Sequence, residues 1–463
     1  MASNSNEVNV LKLLDQSKIK TVTIILAILG ALGGFLFGFD TGIIGSAIVF
    51  ITPAFHLTPF LEGLSVASVT IGAAVGAITA GLIADFLGRK YTLILDATIF
   101  AVFAIALALS INDLTFIIFR TIIGYAIGVD SVIGPVYIAE FAPVQKRGML
   151  LAFQQFMIVT GIFISYFVGL LLAPSANWRL MVGLGALPAI IILAMRFYMP
   201  ESPRFAIIKN QIDKLKNAVK RFGYEISEEG IKSAQEEIAM EKKYTFKTLF
   251  KRSVLPITIF GILIGLFSQT TGINIFIYYS PLTFQILGYS TVMAVMISTI
   301  VTGSTNVWTT ALEQYLLLDR IGRRKSILIG YAGVTIMLII GYLVLKFLTG
   351  TILGWSFAIM IILFLLFFAI GVGTVQWVIM PEIFPTSIRA RGSAVVAFFV
   401  WIGDFIVTFT YPALAVSIGI GNTFLIYAVI SGIATFIFYR LSPETAKKSL
   451  EDISNELWSS KIS

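Results

Sequence analysis

The sequence predicts an all-α integral membrane protein: twelve transmembrane helices in two pseudo-symmetric six-helix bundles, with cytoplasmic linker helices between them. Composition is the first reason. Of the 463 residues, 57% are hydrophobic and only 13% charged, and mean hydropathy is +0.92. A soluble domain of this length needs more charge, and the apolar stretches reach the ~20 residues a helix needs to cross hydrocarbon. The placement of basic residues is the second reason. Of 33 Lys and Arg, 30 fall in segments that alternate with apolar spans, thirteen of them from Arg196 to Arg252. This positive-inside pattern puts both termini in the cytoplasm and makes the number of spans even. The third reason is a repeated charged hinge. Glu140, Pro143 and Arg147 recur, with their spacing kept, as Glu382, Pro385 and Arg389. Two copies of one hinge in one membrane chain suggest a duplicated transporter.

Taken in order, the predicted spans are 21–49, 62–84, 91–110, 114–138, 149–172, 178–198, 254–286, 291–318, 326–346, 353–380, 390–416 and 421–441. The first is too long for a cleaved signal and carries Asp40 and a glycine ladder in place of a cleavage site. Gly30, Gly34, Gly38 and Gly42 share one helix face, where another helix can approach closely. Ser68, Gly72, Gly76 and Ala80 do the same in the second span. Segment 199–252 is the one long polar stretch, with helical periodicity over 203–222 and again over 228–243. The repeat extends beyond the hinge. Asp85-Phe-Leu-Gly-Arg-Lys90 matches Asp319-Arg-Ile-Gly-Arg-Arg324, and Pro200-Glu201 matches Pro443-Glu444. These matches give a segment at 1–20, a six-helix bundle at 21–198, linker helices at 199–252, a second bundle at 253–441 and a tail at 442–463.

The composition also excludes function classes. The chain has no cysteine, so disulfides, thiolate metal sites and cysteine nucleophiles are absent. A lone His56 cannot build a histidine metal cluster. No nucleophile–base set or phosphate loop occurs, which argues against an enzyme. The net charge of +8 follows membrane topology and does not form a nucleic-acid surface. The expected partners are a small solute, protons and the bilayer, with the monomer as working unit and no cofactor beyond a coupling proton.

Asp40 and Arg120 are the sharpest pair. An ionised side chain deep in the bilayer costs ~3 kcal/mol on insertion scales and is tolerated when paired or wetted. Asp40 lies 20 residues past Lys20, and Arg120 lies 20 residues before Glu140. At 1.5 Å per residue both sit roughly 30 Å from the cytoplasmic side, so the first and fourth helices can place them level. Asp130 and Asp404 are further membrane acids. Each can bind a solute hydroxyl, take a proton or pair with another polar group. Glu313 is expected near the inner interface, and Asp96 in a cytoplasmic charge network. The stretch from Ser253 to Leu312 has no charge, so its polar residues serve neutral hydrogen bonding. Membrane-depth amides and indoles that suit a polyhydroxylated solute are Gln155, Gln269, Asn274, Asn306 and Trp377.

Together, GGFLFGFDTG, DFLGRK, FRTIIGYAIG, YIAEFAPVQKRG, PESPRF, QTTGINIFIYYSP, DRIGRRK, PEIFP and SPET resemble the sugar porter family of the major facilitator superfamily. The resemblance runs over residues 33–445. PESPR with the Q-x-x-G-I-N-x-x-x-Y-Y pattern is its most specific part. It implies monosaccharide transport by alternating access. It places Gln155, Gln269, Asn274 and Trp377 at sugar-contacting positions, with Phe37 and Trp401 as aromatic neighbours and Asn306 as a further contact. Tyr278 and Tyr279 match outer-gate residues. Asp40 matches the protonation site of the proton-coupled members, beside Arg120. Ser268, Ile162 and Val400 stand where the family carries further polar residues, so a familiar sugar preference does not transfer.

Glu140, Arg147, Glu382, Arg389, Arg89, Arg323, Glu201, Arg204 and Glu444 all fall on the cytoplasmic face as an expected inner gate. Exposed pairs contribute only ~0–1 kcal/mol each, so a clamp needs a network. The leading reading is H⁺/sugar symport. The alternatives are a uniporter or a porter of phosphate or an organic ion, and, less favoured, a non-transporting sugar sensor. The short tail argues against the last.

Overall fold

The structure, a computed structural model, describes residues 20–143, 146–221, 226–241, 246–252, 254–384 and 388–445. The first and last predicted segments fall almost wholly outside these residues, as does Pro385 of the second hinge.

Among the described residues, twelve helices are long and apolar enough to cross a membrane. They are Thr21–Phe55, Pro59–Leu87, Arg89–Ala108, Asp113–Phe141, Arg147–Ser175 and Trp178–Arg196, then Leu255–Tyr278, Thr291–Leu312, Arg323–Phe347, Gly350–Met380, Arg391–Ser417 and Ile420–Leu441. Their outward faces carry exposed Leu82, Leu171, Trp355 and Val429, a surface that only hydrocarbon covers well.

Small residues set the helix spacing. A Cβ on Gly38 would overlap the Ile158 carbonyl, and one on Gly42 the Ser165 hydroxyl, so the first span lies directly on the fifth. Gly161 returns the contact against Phe35. The second and fourth spans repeat the device: Gly72 lies against the Thr121 carbonyl and Gly124 against that of Val69. In the second bundle Gly371 rests on the Ser326 carbonyl. With no water to drive helices together in lipid, this close backbone approach supplies much of the association.

The predicted seventh span, 254–286, is not one helix. It winds to Thr270, breaks at Gly272 with φ of 83°, resumes over Ile273–Tyr278 and ends in a separate short helix, Ser280–Ile286. Positive φ at Gly272 is the conformation a side chain resists. The tenth span is also irregular. A π-helical turn at Ala369–Gly373 precedes Gln376 and Trp377, a distortion often found beside functional side chains.

The polar segment between the bundles holds helices Pro203–Ile208, Ile212–Lys220 and Glu228–Glu241. The single periodic stretch read over 203–222 is split at Asn210, whose φ is 54°. These helices close a small core of their own around Ala206, Ile207, Leu215, Val219, Ile231 and Ala234. They define the linker side of the molecule, and the opposite side is the far side below.

Candidate solute cavity and charge pairs

A cavity with room for several waters lies between the two bundles. The first span contributes Phe37 and Thr41, and the fifth contributes Gln155. From the second bundle come Gln269 and Asn274 on either side of the Gly272 break, Asn306, Gln376 and Trp377, and finally Trp401 with Asp404. Every amide and aromatic residue singled out for the solute therefore reaches this one wall. Gln376 and Thr41 were not singled out. Gln376 is adjacent to Trp377 on the regular helix that follows the π-helical turn, and both line the cavity.

The polar groups here are tied together. Asn274 Nδ2 donates to Asp404 Oδ1 at 2.7 Å and to Gln269 Oε1 at 2.9 Å. Thr408 Oγ1 donates to the same Asp404 oxygen at 2.8 Å. Such a network fixes each acceptor's direction, leaving the Asn274 carbonyl for other donors. Phe37 meets Trp401 edge-to-face at 5.0 Å across the bundle interface. The Trp401 indole N–H donates to Ser131 at 3.4 Å, again between bundles.

Asp40 and Arg120 meet as a buried pair. Arg120 Nη1 and Nη2 reach Asp40 Oδ1 and Oδ2 at 3.3 and 3.2 Å. The arginine side chain is 0% exposed and the aspartate 5%. Asp40 adjoins Thr41 in the chain, so the ion pair and the cavity share the first span.

Asp130 does not line the solute cavity. It pairs with Arg196, which also donates to Asp96 and to the Leu93 carbonyl. This corrects two expectations. Asp96 joins a buried cluster and not a cytoplasmic network. Arg196, grouped with the polar segment, is fully buried at the end of the sixth span. Two membrane aspartates without an assigned cation were the signal that an arginine had to turn inward. Glu313 is likewise buried.

On the far side the bundles are drawn together. Tyr166 donates to the Ile277 carbonyl from one bundle to the other. Gly63 lies against the Phe409 carbonyl, and Phe60 meets Phe409 at 5.2 Å. Tyr278 and Tyr279 are fully buried there, and the Tyr279 hydroxyl donates to the Thr408 carbonyl at 2.8 Å.

The linker side repeats one arrangement twice. Arg89 pairs with Glu140 at 3.2 Å, and Arg323 with Glu382 at 3.6 Å. Glu201 Oε1 accepts from the N–H groups of Arg89 and Lys90 at 3.0 and 3.2 Å, capping the third span. Glu444 accepts from those of Arg323 and Arg324 at 3.0 and 3.3 Å, capping the ninth. Carboxylates suit helix N-termini, where N–H groups lack partners. The preceding Gly88 and Gly322 have φ of 96° and 86°, and a Cβ on either would strike the capping glutamate. Burial pushes the Glu201 carboxyl above its usual range, opposed by the N–H groups of Ser202 and Lys90. Arg147 donates to the Ala142 carbonyl at 3.2 Å and Arg389 to that of Phe384 at 3.4 Å, each folding its hinge on itself. Arg204 sits half-buried in the first linker helix. The Arg89–Glu140 and Arg323–Glu382 pairs each stay within one bundle and do not bridge the two.

Twelve spans in two related bundles, with a hydrogen-bonding cavity between them, define a multi-pass membrane transporter and not an enzyme. Residues 26–457 match the family described as "Sugar (and other) transporter". The chain belongs to this family, within the major facilitator fold. It is 37% identical over 446 residues to the "Putative metabolite transport protein YwtG" of Bacillus subtilis (strain 168), covering 95% of this chain and 96% of the relative. It is 33% identical over 445 residues to the "Arabinose-proton symporter" of the same organism, covering 94% and 95%. Among solved structures, a partially occluded inward-open form of the xylose transporter XylE from E. coli superposes with a TM-score of 0.80 at 25% identity, covering 93% of this chain and 100% of the other.

Proposed function

We propose that this protein is a H⁺/monosaccharide symporter of the cell membrane, with linker and both termini in the cytoplasm, working as a monomer and needing no cofactor beyond the coupling proton. The observation that carries the reading is the buried Asp40–Arg120 pair on the helix that also lines the cavity. A lone ion at this depth is costly, so Asp40 is held ionised by Arg120 until a proton replaces that attraction. At the 3.2 Å separation, with an effective dielectric constant of 20, the Coulomb attraction is about 5 kcal/mol before desolvation is counted. Protonation removes most of it and loosens the first span from the fourth, and Phe37 and Thr41 carry that change to the cavity.

In this reading the sugar lies against Trp377, Trp401 and Phe37 and exchanges hydrogen bonds with Gln155, Gln269, Asn274, Asn306 and Gln376. Asp404 orients Asn274 and accepts from a sugar hydroxyl. Tyr278 and Tyr279 belong to the outer gate. The inner gate comprises the two glutamate–arginine hinges with Arg89, Arg323, Glu201, Arg204 and Glu444, which meet across the bundles when the carrier opens outward. The relative named as an arabinose-proton symporter supports both the solute class and the coupling.

The test is uptake of a labelled sugar panel into proteoliposomes, with and without an inward proton gradient, for wild type and Asp40→Asn. Symport requires wild type to concentrate a sugar only with the gradient, and the variant to exchange but not concentrate it. Equilibration of a sugar regardless of pH makes the protein a uniporter, and no uptake of any sugar moves the search to phosphate and organic ions.

A further inference from the structure

The first bundle contains charge that the Asp40–Arg120 pair does not account for. Asp96 on the third span and Asp130 on the fourth share one cation, Arg196 of the sixth. Asp96 is 3% exposed, Asp130 4% and Arg196 0%. Arg196 Nη1 takes Asp96 Oδ1 and the Leu93 carbonyl, and Nη2 takes Asp130 Oδ2. The remaining carboxyl oxygens, Asp96 Oδ2 and Asp130 Oδ1, are buried without a hydrogen-bond partner. Both aspartates border a second cavity, lined also by Gly33, Leu36, Phe100, Ala126 and Ile127 and large enough for about one water.

We propose that Asp96, Asp130 and Arg196 form a second proton site, at which the two carboxyls hold one proton between them. The charge count requires it. Two carboxylates on one guanidinium leave a net negative charge in hydrocarbon, which is tolerated only when paired. Among the described residues, no charged side chain other than Asp96 and Asp130 lines the second cavity. The first span presents Gly33 and Leu36 there, and the fifth presents the neutral amide of Gln154 near Gly134. Both aspartates line the same one-water cavity, through which a proton on one carboxyl can be shared with the other. A metal cation fits poorly, because it needs several oxygen ligands and would sit beside Arg196 with two free oxygens.

The site has a mechanical lever. A Cβ on Gly33 would overlap the Asp130 carboxyl, so this cluster touches the first span two turns before Asp40. Arg120 and Asp130 share the fourth span. Loss of the triad's proton sets two carboxylates against each other at this seam and loosens the same pair of helices.

The test uses the purified full chain in nanodiscs, read by infrared spectroscopy and thermal melting over a pH series. Wild type should show a protonated-carboxyl C=O band at neutral pH that survives in Asp40→Asn and is lost in both Asp96→Asn and Asp130→Asn. Each of those variants leaves one carboxylate against one guanidinium and has no need of the proton. Arg196→Gln should roughly double the band. Because the proton is held in the folded state, wild-type melting temperature should fall as pH rises through its release, and the two asparagine variants should lack that fall. A band unchanged in both variants, or wild-type and variant melting curves that run parallel, overturns the proposal. Stabilisation of wild type at alkaline pH by sodium, absent in the variants, also overturns it and assigns a metal cation instead.

Discussion

Removing Asp40 alone should cost more than removing both members of the Asp40–Arg120 pair. In Asp40→Asn the guanidinium stays fully buried, and the Val66 carbonyl at 3.4 Å is its remaining charge-stabilising contact. Breaking a buried pair this way costs about 3–5 kcal/mol, because the orphaned ion keeps its desolvation penalty. Arg120→Gln is milder, about 1–3 kcal/mol, since Asp40 can take a proton and become neutral. The double variant has no buried ion, so its cost should fall below that of Asp40→Asn alone. The coupling between the sites is then about 3 kcal/mol, most of the single-site penalty. Equilibrium unfolding of the four proteins in detergent measures it. Costs that add within about 0.5 kcal/mol would refute the reasoning, because independent sites behave in that way. Asp40→Asn also imitates the protonated carrier, so its destabilisation is a direct measure of the strain that protonation introduces.

Three further outcomes are expected. Gly38→Ala should abolish monodisperse protein on size-exclusion chromatography, since its Cβ falls on the Ile158 backbone, whereas Gly81→Ala meets nothing within 4 Å and should be neutral or stabilising by up to about 1 kcal/mol. Trp401→Phe should keep the edge contact with Phe37 but lose the indole bond to Ser131, raising the sugar KM several-fold with little change in melting temperature. Burial holds the Glu201 carboxyl above its ordinary 4.5, so the folded protein binds that proton more tightly than the unfolded chain. The associated stability is present below 4.5 and is lost as pH rises through the folded value, and Glu201→Gln should flatten this fall in a melting series.

The sequence alone determined the architecture, because hydrocarbon leaves a chain few choices. Long apolar runs must close their own backbone hydrogen bonds as helices, and the basic loops between them report their order. The repeat was legible for a similar reason. Gly88 and Gly322 are the residues that admit a positive φ against a capping glutamate, so both copies keep the glycine and the acid. Rise per residue was enough to set Asp40 level with Arg120, since straight helices keep their depth.

Tertiary structure decided which side chains face each other, and depth does not encode that. Asp130 could have faced solute or partner. It turned to Arg196, whose place at the end of an apolar run read as part of the polar segment. Gln376 was hidden for another reason. A π-helical turn shifts the register of the residues after it relative to those before, so which face of the tenth span meets the cavity is not legible from regular spacing. The break at Gly272 likewise turned one predicted helix into two and put Gln269 and Asn274 within 2.9 Å of each other. Helix existence follows from solvation of the backbone, a local property. Helix rotation and breakage follow from packing, which only the assembled bundles specify.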